Sequence, residues 1–141
     1  MKKYGFTLVE LVMVIVIIGM LAAIVLPNFG AQREHASIAM TKANLDALRK
    51  AVALYYIHVG DYTDLNVSSP PLRPLFDGSG AANGRIFMPE VPFETISTPS
   101  KTDIVLNPPT GSGGWVWDST SHEVKVNLIG VDINGQDYSD Y

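Results

Sequence analysis

The chain has 141 residues, 10 Lys and Arg against 14 Asp and Glu, and a formal net charge of −4. That length holds one domain plus a membrane segment, not two full domains, and an acidic chain with scattered cations argues against nucleic acid as a main partner. Cysteine is absent, which excludes a disulfide framework, a thiolate metal site and a Cys nucleophile.

Lys2 and Lys3 open the chain, and from Phe6 to Leu26 only Thr7, Glu10 and Gly19 are not plainly apolar. A helix of about twenty residues spans roughly 30 Å, the hydrocarbon thickness of a bilayer. The two lysines place the N-terminus in the cytoplasm and the rest outside. A secretory signal peptide cut near Ala22-Ala23 is one reading of this segment, and a plain membrane anchor is another. Glu10 weighs against both, because an ionisable group in a membrane segment asks for a partner.

Gly5 followed by Phe6-Thr7-Leu8-Val9-Glu10-Leu11 resembles the class III signal of type IV pilins and type II secretion pseudopilins. The resemblance implies cleavage between Gly5 and Phe6 by a prepilin peptidase, then N-methylation of Phe6. Gly5 matches the small residue before the cut, Glu10 the family's glutamate, and Pro27 its usual helix-kinking proline. The strong likeness covers residues 1–30. It implies these partners: further copies of the chain in a filament, other pilin-like subunits, an inner-membrane assembly platform and the membrane. In a packed filament the Glu10 carboxylate can pair with the Phe6 amine of a neighbour. Such a pair adds little net stability in low dielectric, while a lone buried charge is penalised, so it acts as a register device. The alternative for Glu10 is a protonated side chain reaching to the headgroups.

Beyond Leu26 the chain turns polar, yet Ile38, Leu45, Leu48, Val52, Tyr55 and Val59 keep helical spacing on one face. Seven alanines between Ala31 and Ala53 add helix propensity, and Asp46–Lys50 is spaced for an i,i+4 pair. One helix is predicted from Phe6 to Val59, kinked or loosened at Pro27 and stopped at Gly60. The expected organisation is a cleaved leader (1–5), a transmembrane and filament-core helix (6–27), its amphipathic continuation (28–60) and an outer domain (61–141).

Residues 61–99 carry Pro70-Pro71, Asp77-Gly78 and Asn83-Gly84 and read as loop, with a short helix around Leu72–Phe76. Strands are predicted at Asp103–Leu106, Trp115–Trp117 and Glu123–Leu128, the last two forming a hairpin about Asp118–His122. Val124, Val126 and Leu128 share a face, and at least one of Trp115 and Trp117 should be buried. The fold class is α+β, a long helix packed on a small antiparallel sheet, as in pilins.

Asp132, Asn134 and Asp137 surround a glycine turn and offer oxygen donors that suit calcium. The resemblance adds that some major pseudopilins bind calcium near the C-terminus. The bidentate Glu of an EF-hand is missing, and a solvated Asn-Gly turn is the plainer reading. His35, His58 and His122 lie in different elements, and no phosphate loop or nucleophile elbow occurs, so no enzyme is expected. Asn66-Val67-Ser68 is a formal glycosylation triplet of the kind chance supplies. The sequence thus reads as a structural filament subunit in the inner membrane, its outer domain in the periplasm or outside. It leans to a type II secretion pseudopilin, because many type IV pilins close their C-terminal region with a disulfide. A type IV pilin and a monomeric membrane-anchored binding domain are the alternatives.

Overall fold

The structure, a computed structural model, describes residues 5–25 and 29–141. Lys2, Lys3 and Pro27, and with Pro27 the expected kink, lie outside the described residues. The chain divides into two compact units, Met1–Glu34 and His35–Tyr141.

The first unit carries helix α1, Leu8–Val25. Its described side chains are exposed all round, Phe6 and Leu8 by 76% and 78%. Leu, Val, Ile and Met on every side leave no polar face to turn toward water, the pattern of a helix meant for an apolar surrounding. Among the described residues no helix is long and apolar enough to cross a membrane. The 18 residues of α1 reach about 27 Å, just short of the ~30 Å hydrocarbon core. The apolar run goes on to Leu26, outside the described residues.

Helix α2 runs from Phe29 to Val59. In the second unit its apolar stripe is inside as expected: Ile38, Leu45, Leu48, Val52 and Tyr55 are buried and Val59 is partly so. Thr41 joins the stripe, its hydroxyl bonded to that of Thr95 at 3.0 Å. The helix ends at Gly60, whose φ of 92° only glycine adopts without strain and whose N–H donates to the Tyr56 carbonyl. The expected Asp46–Lys50 pair does not form among the described residues; both side chains stay in water, where such a pair gains little.

The stretch expected as loop holds two short helices, α3 (Thr63–Val67) and α4 (Pro74–Asp77), with a tight 3₁₀ turn at Gly80–Ala82. Helix α4 realises the short helix predicted nearby. Helix α3 has no counterpart among the predicted elements, because five residues show no periodicity; buried Leu65 and an Asp61 carboxylate accepting from Thr63 N–H hold it.

Three strands, β1 (Ile104–Leu106), β2 (Trp115–Asp118) and β3 (Glu123–Val126), form one sheet in that order. The β2–β3 hairpin is antiparallel, with Trp115 opposite Val126 and Trp117 opposite Val124. Strand β1 pairs with β2 in parallel, so the sheet is mixed where an all-antiparallel one was expected. The cause is the return loop 107–114. Parallel neighbours usually need a dozen or more connecting residues. Here Gly111, Gly113 and Gly114, with φ of 74°, 87° and 82°, fold the chain back sharply enough to bring Trp115 N–H onto the Asp103 carbonyl.

Trp115, Val116 and Trp117 are all fully buried. Both indoles find acceptors at 2.8 Å, Trp115 on the Pro92 carbonyl and Trp117 on the Asn66 side-chain oxygen. The half-buried Asn66 side chain is thereby tied to Trp117. The two tryptophans, Val124 and Val126 meet the α2 stripe in one cluster, the α+β architecture expected.

Candidate assembly site

Gly5 and Phe6 precede α1 as exposed, non-helical residues. Thr7 then caps the helix. The Glu10 carboxylate accepts from both Thr7 N–H and Thr7 Oγ1 at 2.8 Å, and Glu10 N–H donates to Thr7 Oγ1 at 3.3 Å. This is a capping box, in which residues three apart satisfy each other's orphan backbone donors, and a carboxylate there also complements the helix dipole. The Glu10 carboxylate is thus already engaged within the single chain, one residue from the Phe6 nitrogen. Its signal is present in the sequence as Thr7-Leu8-Val9-Glu10, although by hydropathy Thr7 is only a polar interruption of the apolar run.

The second candidate, the C-terminal loop, is closed by protein donors. Asp132 is buried, and its carboxylate accepts from Asn134 N–H (2.7 Å), Gln136 N–H (2.9 Å) and Tyr141 OH (2.6 Å). These bonds, the phenol's first, hold the Asp132 carboxyl at about 2, below the usual carboxylate range. Asn134 is drawn to Asp132, its amide donating at 3.2 Å, while Asp137 accepts from Ser139 N–H and caps the last turn. Each of the three proposed ligands is thus engaged with a protein group in this arrangement. Among the described residues no group of three or more His, Cys, Asp or Glu side chains could hold a metal ion. Adding calcium, or a chelator, is expected to leave the thermal melting of the detergent-solubilised chain unmoved; a calcium-dependent rise would establish the metal site.

Sequence reasoning missed what ties this loop to α2. Arg49 donates to the Val124 carbonyl at 3.1 Å and to the Tyr141 carbonyl at 2.5 Å. Lys42 donates to the Gln136 side chain at 2.8 Å, and its ammonium stands 4.0 Å over the Tyr141 ring. Residues 130–141 act as a strap across α2. By sequence Arg49 and Lys42 are two of the scattered cations, and nothing in their spacing announces these partners.

The histidines remain apart. His35 and His58 are exposed on α2, and His122 stacks on Tyr62 at 4.3 Å, with Tyr56 stacked on Tyr62 at 4.7 Å. Tyr55 packs in the core against Phe87. Aromatic packing accounts for these rings without catalysis.

A capped apolar helix behind an exposed Gly-Phe bond, and a sheet domain built on the following helix, agree with the pilin-like architecture expected from the sequence. Residues 1–26 match the family described as the prokaryotic N-terminal methylation motif. The type II secretion system core protein G of Escherichia coli (strain K12) is 38% identical over 80 residues, covering 52% of this chain and 55% of that protein. The type IV major pilin protein PilE1 of Neisseria gonorrhoeae is 34% identical over 76 residues, covering 54% and 46%. The type IV major pilin protein PilA of Myxococcus xanthus (strain DK1622) is 42% identical over 63 residues, covering 45% and 29%. The chain spans about half the length, or less, of the curated relatives it matches. No solved structure matches it. The matched stretches are thus similar to type II secretion core proteins and to type IV major pilins, and the methylation motif covers the first 26 residues.

Proposed function

We propose that the chain is inserted in the inner membrane as a prepilin, cut between Gly5 and Phe6 by a prepilin peptidase and methylated on Phe6. Segment 6–27 anchors the subunit and then forms the filament core, joining copies of itself and other pilin-like subunits on an inner-membrane assembly platform. The sheet domain stays in the periplasm or outside. The observation that carries this reading is the exposed Gly5-Phe6 junction ahead of the Thr7–Glu10 box. Cleavage there creates an amine beside a helix that already presents a carboxylate.

Within the family the reading leans to a type II secretion pseudopilin serving protein export. The C-terminal region is closed by Asp132, Tyr141 and Arg49 in a chain without cysteine, where many type IV pilins use a disulfide. The second reading, a type IV pilus subunit, draws on the major pilins among its relatives.

Intact-mass analysis of the protein from its native membrane tests the processing step. The expected product begins at methylated Phe6. A product that keeps Met1, or that begins near Ala23, would sink the proposal in favour of a plain anchor or a secretory signal.

A further inference from the structure

Strand β1 ends the sheet order, and its outer edge is bare. Trp115 N–H donates to the Asp103 carbonyl at 2.7 Å, and Asn107 N–H donates to the Trp117 carbonyl at 3.0 Å. In a parallel ladder alternate residues face the neighbouring strand. Asp103, Val105 and Asn107 therefore face β2, and the backbone groups of Ile104 and Leu106 face away. Neither isolated bridge among the described residues, Glu94–Lys101 or Val131–Asp137, touches them. Backbone N–H and C=O groups are obligatory hydrogen-bonding groups, so Ile104 and Leu106 present an open template.

No helix or loop among the described residues pairs with this template; a cleft of about 650 Å³ lies against its Ile104 end. Pro70, Phe76 and Val91 line it together with Ile104, Val105 and Asp103. Asp103 is exposed and makes no ion pair among the described residues, while Asp77 nearby is matched by Arg73 at 2.7 Å. The local balance is one negative charge.

We propose that this cleft takes an extended peptide segment of a partner protein, added to β1 as a fourth strand, with an aliphatic side chain against Phe76 and Val91 and a Lys or Arg beside Asp103. Main-chain bonds to Ile104 and Leu106 supply the affinity, and the apolar lining and Asp103 select the sequence. The strand is only three residues long. Short edges are one way proteins avoid indiscriminate strand pairing, so the contact is transient and needs the side-chain pockets as well as the edge. This surface belongs to the sheet domain and does not depend on the filament reading.

The test uses the full-length, isotope-labelled chain in detergent micelles and three capped hexapeptides. The first is Thr-Val-Lys-Val-Lys-Thr, the second has Glu for Lys, and the third is the lysine peptide N-methylated at both valines. The lysine peptide is expected to slow amide exchange at Ile104 and Leu106 and leave Val105, already bonded to β2, unchanged. The N-methylated peptide should protect neither. Leu106→Pro removes one outward N–H and should weaken binding roughly tenfold, about the worth of one or two hydrogen bonds. Asp103→Lys should reverse the preference to the glutamate peptide. If Leu106→Pro disturbs the sheet, the N-methylated peptide makes the same comparison on the unaltered chain. Saturable binding by none of the peptides, equal binding of the N-methylated one, or protection elsewhere would overturn the proposal. So would protection at Ile104 and Leu106 that rises with protein concentration alone, which would make the occupant a second copy.

Discussion

Filaments are expected to be lost, with cleavage after Gly5 intact, when Glu10 is replaced by alanine. In the single chain the carboxylate caps α1 through Thr7 N–H and Oγ1. Once apolar helices pack into a filament and exclude water, each cleaved Phe6 carries an amine that must be neutralised or solvated. Removing one member of a buried ion pair costs about 3–5 kcal/mol because the other charge stays unpaired, and a filament repeats that cost at every subunit. Glu10→Gln separates the two roles. Glutamine also serves at the third position of a capping box, so the helix start should survive while filament yield still falls at least tenfold. Thr7→Val does the reverse, weakening the cap by about 1 kcal/mol and leaving the charge, and should reduce assembly only mildly. Sheared surface material, scored by electron microscopy beside intact mass of the membrane fraction, reads both steps. Normal filaments from both Glu10 variants would remove the register role.

The second large effect is expected at Tyr141. Its ring is buried against Tyr138 and under the Lys42 ammonium, its hydroxyl donates to Asp132 and its carbonyl accepts from Arg49. Tyr141→Ala should destabilise the sheet domain by about 3–5 kcal/mol, the usual range for deleting a buried aromatic ring. Denaturant unfolding followed by emission of the buried Trp115 and Trp117 measures it. A change under about 1 kcal/mol, the level of a surface substitution, would mean the strap is only laid on the domain. The strap also sets a pH dependence. Asp132 has its carboxyl lowered from 3.8 to about 2. Its contribution is therefore fully present above about pH 4 and is lost as pH falls through about 2. Asp132→Asn should melt below the wild type at neutral pH, with the gap closing in acid. Burial and the Asp132 bond push the Tyr141 phenol well above the usual tyrosine range, so that bond persists until strongly alkaline pH.

The parts of this architecture that repeat with a period are legible in the sequence. The α2 stripe from Ile38 to Val59 and the alternation of Val124 and Val126 place the core without coordinates. Gly5-Phe6 and Glu10 stand out in the sequence because they sit in a motif. Contacts between residues far apart in sequence are not. Arg49 reaching Tyr141, and Thr41 reaching Thr95, have no local signature. The parallel pairing of β1 is hidden because three residues of strand look alike in either direction, and the loop after them decides. A count of oxygen donors at the C-terminal loop suits calcium, with a solvated Asn-Gly turn as the plainer reading, but it does not reveal the Asn134, Gln136 and Tyr141 bonds to the Asp132 carboxylate.

That deciding loop has a practical consequence for anyone who wishes to label the protein. Asn127 is fully buried and fastens residues 110–113 from several sides: its carbonyl accepts from Thr110 and Gly111 N–H, and its amide donates to the Gly113 carbonyl. A Cβ at Gly114 would stand 2.4 Å from the Asp103 carbonyl oxygen. The segment therefore has a fixed length, and an epitope or dye-bearing insertion there would unseat β1 from β2. The hairpin tip at Ser119–Ser121 is exposed, away from this knot. A short tag placed at the tip would leave the sheet as it is and let each subunit be followed in living cells.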